Sequence, residues 1–397
     1  MANKDILPIQ LFLFAMLITI PVYAQWEEIP IDPQYTLKNF PLEERSWLGI
    51  NEKILFLGDC GWLSTIVALL YTDNGGDDWR ELEKFPNWIT DFHFINNKEG
   101  WLTSGGELWH TRDGGENWAQ LPIELDAEEV PWAPNGILGS LSKIHFFDSN
   151  HGVGVFQWRF DILTGDARVI VATTQDGGRH WRSRKWVEFG DIIISWEIVG
   201  NRIWIPMWPE IWFSPDRGES WKELITPMGL YAFNFLEPND GWSVVVGMSP
   251  QLFHTKDNGE SWQFISELPP IYGQKGELLF VSDREGWLLS FPLFDGRRYH
   301  AVLWQTQDGG IHWQPMEWPI DPKVRECHPI KCFGRPAGRL VLNQSRGDLW
   351  VVLYDFDYPL LRGGIMRSTS INPLARYLTT WGRVKCQKPV FSEKTGF

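Results

Sequence analysis

Apolar and polar positions alternate in short runs along this chain, and one polar turn recurs between the runs. Two residues ahead of each turn stands an apolar side chain: Leu70, Trp109, Ala172, Trp212, Phe253 and Trp304. Such alternation predicts a half-buried strand running into the turn. The turn itself reads Ser/Thr, any residue, Asp or Asn, any residue, Gly, two residues, Trp. Its copies are Thr72-Asn74-Gly76-Trp79, Thr111-Asp113-Gly115-Trp118, Thr174-Asp176-Gly178-Trp181, Ser214-Asp216-Gly218-Trp221, Thr255-Asp257-Gly259-Trp262 and Thr306-Asp308-Gly310-Trp313. A hydroxyl and an Asx side chain can bond backbone N–H groups two or three residues on and so fix a tight turn. The Gly supplies a positive φ, and the Trp opens the next strand with a large apolar face.

A second motif precedes each box. Gly61-Trp62, Gly100-Trp101, Gly241-Trp242 and Gly286-Trp287 are clear copies. Gly152-Val153 is weaker, and Trp204 holds the place without its Gly. Upstream lies a strand such as Asp91 to Ile95 or Lys143 to Phe147. Each unit therefore predicts four antiparallel strands, repeated roughly every 40–60 residues, which is the pattern of a propeller blade. The ends set the blade number. Trp26-Glu27-Glu28-Ile29 matches the strand that follows a box but has no box before it, while the strands within Lys331 to Ser370 have no box after them. The expectation is an all-β, seven-bladed propeller whose last blade is shared between the two ends, with Trp26 to Ile29 as closing strand and Trp381 to Val384 as the competing candidate. Closure of this kind removes an exposed sheet edge.

Composition narrows the function classes. The chain has 397 residues, 43% of them hydrophobic, and 25 Trp beside 37 Gly and 26 Pro. A large buried core is thus expected, rather than disorder. A net charge of −14 argues against a binder of nucleic-acid backbones. At least fourteen of the 25 Trp fall on repeat positions, which marks them as packing residues.

Residues 1–24 read as a secretory signal: Lys4, an uncharged apolar run from Leu11 to Ile20, and Val22-Tyr23-Ala24 before the cut. An uncleaved anchor is the rival, but the run is short and Pro21 breaks it. The expected organisation is a signal peptide (1–24), the propeller (25–376) and a C-terminal tail (377–397). No stable membrane span is expected after cleavage, and the location is periplasmic, thylakoid-lumenal or extracellular. Export permits disulfides among Cys60, Cys327, Cys332 and Cys386. Cys327 and Cys332 are close in sequence, and a closed ring brings Cys60 near Cys386. As a metal site Cys327-His328 and Cys332 lack a second matched Cys/His pair, so no metal is expected.

The six copies resemble the BNR/Asp-box repeat of sialidases, other glycosidases and sortilin-type receptors. The fuller unit, a Phe-containing strand, then Gly-Trp, then Thr-x-Asp-Gly-Gly-x-x-Trp, resembles the photosystem II stability/assembly factor propellers over about residues 26–370. That resemblance implies an exported, seven-bladed, non-catalytic protein-binding or assembly factor whose partner is a membrane-complex subunit. The arginine patch associated with binding in that family has no residue-by-residue match here.

Candidate sites follow from what the repeat does not absorb. An Asp in every box is a turn residue rather than a catalytic or calcium-binding one, although Thr72 to Trp79 carries Asp73, Asn74, Asp77 and Asp78. A sialidase reading needs an early Arg-Ile-Pro element, and the only Arg-Ile, Arg202-Ile203, is followed by Trp204. A glycosidase needs two carboxylates across the scissile bond, and no spacing singles out a pair. No catalytic residue, cofactor or metal ligand is therefore expected. The alternative function is a carbohydrate-binding propeller or sialidase-like glycosidase, with a glycan as partner. Trp132 and Trp208 lie outside the repeat and are the candidate binding-surface residues. The stretch Leu125 to Asn135, with Asp126, Glu128, Glu129 and Trp132, is either a partner-binding insert or a solvated charge run. Arg179, Arg182, Arg184 and Lys185 read as the solvent face of an outer strand. His110 and His254 precede their boxes at equivalent positions, which points to a role in the fold.

Overall fold

The computed structural model describes residues 26–29, 53–65, 68–127, 130–131, 139–159, 167–190, 196–207, 210–225, 230–245, 249–269, 277–294, 299–316, 326–327, 338–343, 348–353 and 365–368. All regular elements among them are strands. The chain is an all-β propeller of four-stranded antiparallel blades. Six blades carry a box. Blade 1 starts at Ile54–Leu57, blade 2 at Ile89–Phe94, blade 3 at Ser140–Phe146, blade 4 at Glu197–Val199, blade 5 at Leu230–Glu237 and blade 6 at Glu277–Phe280, each strand lying innermost in its blade. A further sheet has no box and joins the two ends of the chain: Gly338–Asn343, Asp348–Leu353, Ile365–Ser368 and, outermost, Trp26–Ile29. Trp26 pairs with Ser368 and Ile29 with Ile365, antiparallel. The inner strand of this sheet packs on those of blades 6 and 1, so the N-terminal strand completes the ring. Trp381 to Val384, the competing closing strand, lies outside the described residues.

The Gly-Trp motif is a joint between blades. In blade 2 a Cβ on Gly100 would stand 2.4 Å from the Phe94 ring, so only Gly lets the second strand pass beneath the inner-strand Phe. The same close approach recurs at Gly241 under Phe235. The Trp that follows reaches into the next blade. Trp62 stacks on Phe94 with centroids 4.0 Å apart, Trp101 on Phe146 at 3.8 Å, Trp204 on Phe235 at 4.0 Å and Trp242 on Phe280 at 4.2 Å. Three of these indoles also donate Nε1–H to a carbonyl in the next box: Trp62 to Gly114, Trp101 to Gly177 and Trp204 to Asn258. Each of these three Trp thus buries its ring and satisfies its one polar atom in the neighbouring blade. In the boxless sheet Trp350 takes this place. It is fully buried and lies 5.2 Å from Phe56 of blade 1.

Side chains near the axis tie adjacent inner strands together. Ile144 N–H donates to Asp91 Oδ2 (3.1 Å), Phe235 N–H to Glu197 Oε1 (3.3 Å) and Phe280 N–H to Asn234 Oδ1 (2.7 Å). An innermost strand is a sheet edge, and these acceptors occupy edge donors that would otherwise stay open. Cys60, fully buried in blade 1, is disulfide-bonded and accepts a hydrogen bond from Tyr71 Oη (3.5 Å). Cys332 and Cys386 lie outside the described residues.

Candidate functional site

The boxes come first, because each presents a carboxylate or its amide substitute. In blade 2, Thr111 Oγ1 donates to Asp113 Oδ1 (2.8 Å) and accepts the Gly115 N–H (3.0 Å). Asn117 gives its backbone N–H to Asp113 Oδ1 (2.9 Å) and its side-chain amide to Oδ2 (2.7 Å). Trp118 Nε1 donates to the Gly115 carbonyl (2.9 Å). Both carboxylate oxygens are therefore engaged inside the turn. The outer oxygen takes His180 in blade 3, Ser220 in blade 4 (2.6 Å), Ser261 in blade 5 (2.5 Å) and His312 in blade 6 (2.7 Å). Blade 4 forms the turn with Arg217 at φ 63°, where most other boxes have Gly.

The charge state agrees with this role. Burial opposes ionisation of Asp176 and Asp308. Backbone and ring hydrogen bonds, from His180 and His312 respectively, outweigh it and hold each carboxyl at about 2. Asp113, Asp216 and Asp257 are lowered in the same way, by Asn117, Ser220 and Ser261 against burial. An ionised carboxylate with no proton to give and its acceptor sites filled is a turn anchor. It is a poor general acid.

His110 and His254 sit on the Gly-Trp joint. His110 stacks on Trp101 (4.7 Å) and meets Glu99 (3.2 Å); His254 stacks on Trp242 (4.4 Å) and meets Asp240 (2.6 Å). Each carboxylate immediately precedes the motif Gly. Tyr71 with Cys60 and Gln305 with Glu285 (3.3 Å) fill the same two positions in blades 1 and 6. Burial lowers His110 despite Glu99.

Near the axis, blades 1 to 3 bring titratable groups together. Asp91 is buried, pairs with Lys53 Nζ at 2.7 Å and also accepts the N–H groups of Phe92 and Ile144. Lys53 Nζ donates in addition to the Phe92 carbonyl at 2.6 Å. Burial would raise the Asp91 carboxyl, but Lys53, Lys143 and the hydrogen bonds lower it. His93 and His145 lie 4.1 Å apart, centroid to centroid. Burial first, and Lys53 second, depress His93 to about 3; His145 is also held well below its ordinary value, by burial and by His93. Both imidazoles are therefore neutral near pH 7 and weak as bases. Among the described residues no group of three or more His, Cys, Asp or Glu is placed to hold a metal ion.

The outer face carries ion pairs that cross between blades: Arg80 with Glu116, Lys185 with Glu223 (2.6 Å) and Lys222 with Glu260 (2.5 Å). Arg184 pairs with Glu219 and bonds Thr173 Oγ1 (2.8 Å). The expected solvent face thus holds for Arg179 and Arg182, which are exposed. It is corrected for Arg184 and Lys185, whose long side chains reach the acids of blade 4. Part of the insert after blade 2 lies among the described residues. Glu124–Asp126 adds a fifth strand, parallel, outside the outer strand of blade 3, in register with His180 to Arg182. Alternation gives no sign of a three-residue parallel strand, although Ile123, Leu125 and Val130 do carry an apolar signal. Trp132 and Trp208, the candidate surface residues, lie outside the described residues, as do Glu128 and Glu129.

No protein-family model matches the sequence, and no curated protein does. Solved structures do match. YCF48 bound to D1 peptide aligns at 17% identity and a TM-score of 0.57, covering 88% of this chain and 96% of that one. YCF48 from Cyanidioschyzon merolae aligns at 14% identity and a TM-score of 0.55, covering 87% and 98%. At these identities the likeness is one of fold.

Proposed function

We propose that this chain is an exported, non-catalytic propeller that binds a protein partner and serves its assembly. The observation that carries the reading is the consumption of the boxes: their carboxylates, the most numerous candidates for chemistry, are spent on turns. The axial layer of blades 1 to 3 supports it, since Asp91 is ionised and committed and the neighbouring imidazoles are weak bases. One YCF48 structure holds a D1 peptide and covers nearly the same length of propeller, which favours a polypeptide ligand over a sugar. The disulfide at Cys60 suits an oxidising compartment, as does the apolar run from Leu11 to Ile20. Affinity capture of the mature protein from the native envelope fraction tests the reading. One membrane-complex subunit enriched in stoichiometric amount is expected. Turnover of a glycoside substrate by the purified chain, with no protein captured, would overturn it.

A further inference from the structure

In the box of blade 3 one imidazole touches two carboxylates. The residue before the box Trp is His180, and its Nδ1 meets Asp176 Oδ2 of the same turn. Its Nε2 meets Glu124 Oε2 at 3.3 Å. Glu124 belongs to the strand Glu124–Asp126, which lies parallel along His180 to Arg182. The main chain ties this strand to the same turn, with Glu124 N–H donating to the Arg179 carbonyl at 2.8 Å. His180 therefore joins the box of blade 3 to the segment that leaves blade 2. His312 is the comparison inside the molecule. It holds the equivalent place in blade 6, where Nδ1 meets Asp308 Oδ2 at 2.7 Å, and among the described residues no second carboxylate pairs with its ring.

An ionised carboxylate only accepts hydrogen bonds, and a neutral imidazole has one N–H and one bare nitrogen. A neutral ring would satisfy one of the two acids and turn a lone pair on the other. The imidazolium donates to both. We propose that His180 is a proton-dependent latch: it holds Glu124–Asp126 against blade 3 while the ring is charged and loosens that strand when the ring is neutral. The hydrogen bond and charge of Asp176 first, and Glu124 after them, raise the His180 pKa above its ordinary value, against desolvation and Arg179. The other charged groups on the two paired strands here are Arg182 and Asp126, which stand opposite each other in the register. A raised pKa makes the contribution complete below about 6.5, and it is lost as pH rises through the folded value. That sign is opposite to the one set by the buried His93 and His145, whose lowered values favour the folded chain at higher pH. The side chains of His180 and Glu124 are 67% and 75% exposed, so the latch is graded, at about twofold to fivefold in the docking equilibrium. Leu125, packed into the apolar cluster around Trp181, anchors the strand at any pH.

Two measurements on the full mature chain test the latch: NMR titration of the histidine rings, and exchange of the Glu124 amide, both from about pH 5.5 to 8.5. Asp176, held at about 2, stays ionised throughout. Protection of the Glu124 amide, corrected for its intrinsic rate, should fall about twofold to fivefold across this range in the wild type. It should stay level or rise in His180→Asn, whose amide can still bond Asp176 as Asn117 bonds Asp113 in blade 2. Glu124→Gln should lower the His180 midpoint by about 0.2–0.7 pH unit and leave that of His312 where it is. A His180 midpoint indifferent to Glu124→Gln, or an equal shift at His312, would overturn the proposal. The same fall in protection in His180→Asn would overturn it as well.

Discussion

Asn74 and Asp78 in blade 1 exchange the parts that Asp113 and Asn117 play in blade 2. Asn74 Nδ2 donates to Asp78 Oδ2 at 3.1 Å, and Asp78 N–H donates back to Asn74 Oδ1 at 3.1 Å. In blade 2 the acid comes first and the amide second. One acid and one side-chain donor are what the turn holds, and in these two blades acid and amide stand in opposite order. Asn74→Asp puts two carboxylates in contact and should cost about 1 kcal/mol. The double change Asn74→Asp with Asp78→Asn should restore the loss. Urea midpoints of the wild type, Asn74→Asp and the double variant decide it; a double variant no better than Asn74→Asp would refute the exchange.

The Gly100 joint makes a packing prediction. Gly100→Ala drives a methyl into the Phe94 ring and should destabilise by about 1–3 kcal/mol through overpacking. Phe94→Leu alone leaves a gap and loses the stack on Trp62. Combined, the two changes should cost less than the sum of the singles. Additive costs within about 0.5 kcal/mol would mean that the two residues do not meet as described.

Acid should act in two stages. His93 and His145 have folded pKa values below the unfolded value of about 6.5. Below that pH the unfolded chain binds more protons than the folded one, so stability falls with pH, by at most about 1.4 kcal/mol per pH unit for each histidine kept neutral. The box carboxylates of Asp176 and Asp308, at about 2, contribute above the unfolded value of about 3.9 and lose that contribution as pH falls towards 2. Equilibrium unfolding from pH 7.5 to 3 should show a decline starting near pH 6.5. His93→Gln should flatten this first part and leave the second. An unchanged slope between pH 6.5 and 5 in that variant would rule out His93 as its source.

Closure of the ring hangs on one indole. Trp350 lies over Gly76, with a ring carbon 2.4 Å from where a Cβ would stand, and meets Trp79 edge-on at 6.1 Å. Trp350→Ala should cost about 3–5 kcal/mol and speed amide exchange in blade 1 more than in blade 4. Uniform exchange across blades would show that the contact is not local to the closure.

The sequence carried the repeat well because its turn needs particular atoms at particular places: a hydroxyl, an Asx oxygen, a Gly and an indole. The shared closing sheet was legible too, since Trp26 to Ile29 is a strand whose box is missing. Trp350 was not, because it follows Leu349 rather than Gly and leads to no box. The position before the box Trp escaped notice as well. Asp78, Asn117, His180, Ser220, Ser261 and His312 share a hydrogen-bonding task and almost nothing else. Arg184 and Lys185 looked like solvent residues because alternation assigns a direction to Cβ and does not say how far a long side chain reaches. The outer edge of blade 3 could not be read at all, since a parallel pairing between residues so far apart leaves no local mark.

Pairing of Trp26–Ile29 with Ile365–Ser368 has a kinetic side. Within each box-bearing blade the strands are near neighbours in sequence and can pair early. The closing contact joins segments separated by almost the entire chain, and loop-closure entropy makes such contacts slow. A chain emerging from its N-terminus would hold one strand in reserve while six blades form. Its last event would be the capture of that strand, and until then the final sheet would keep an open edge for a chaperone, or for a second copy, to find.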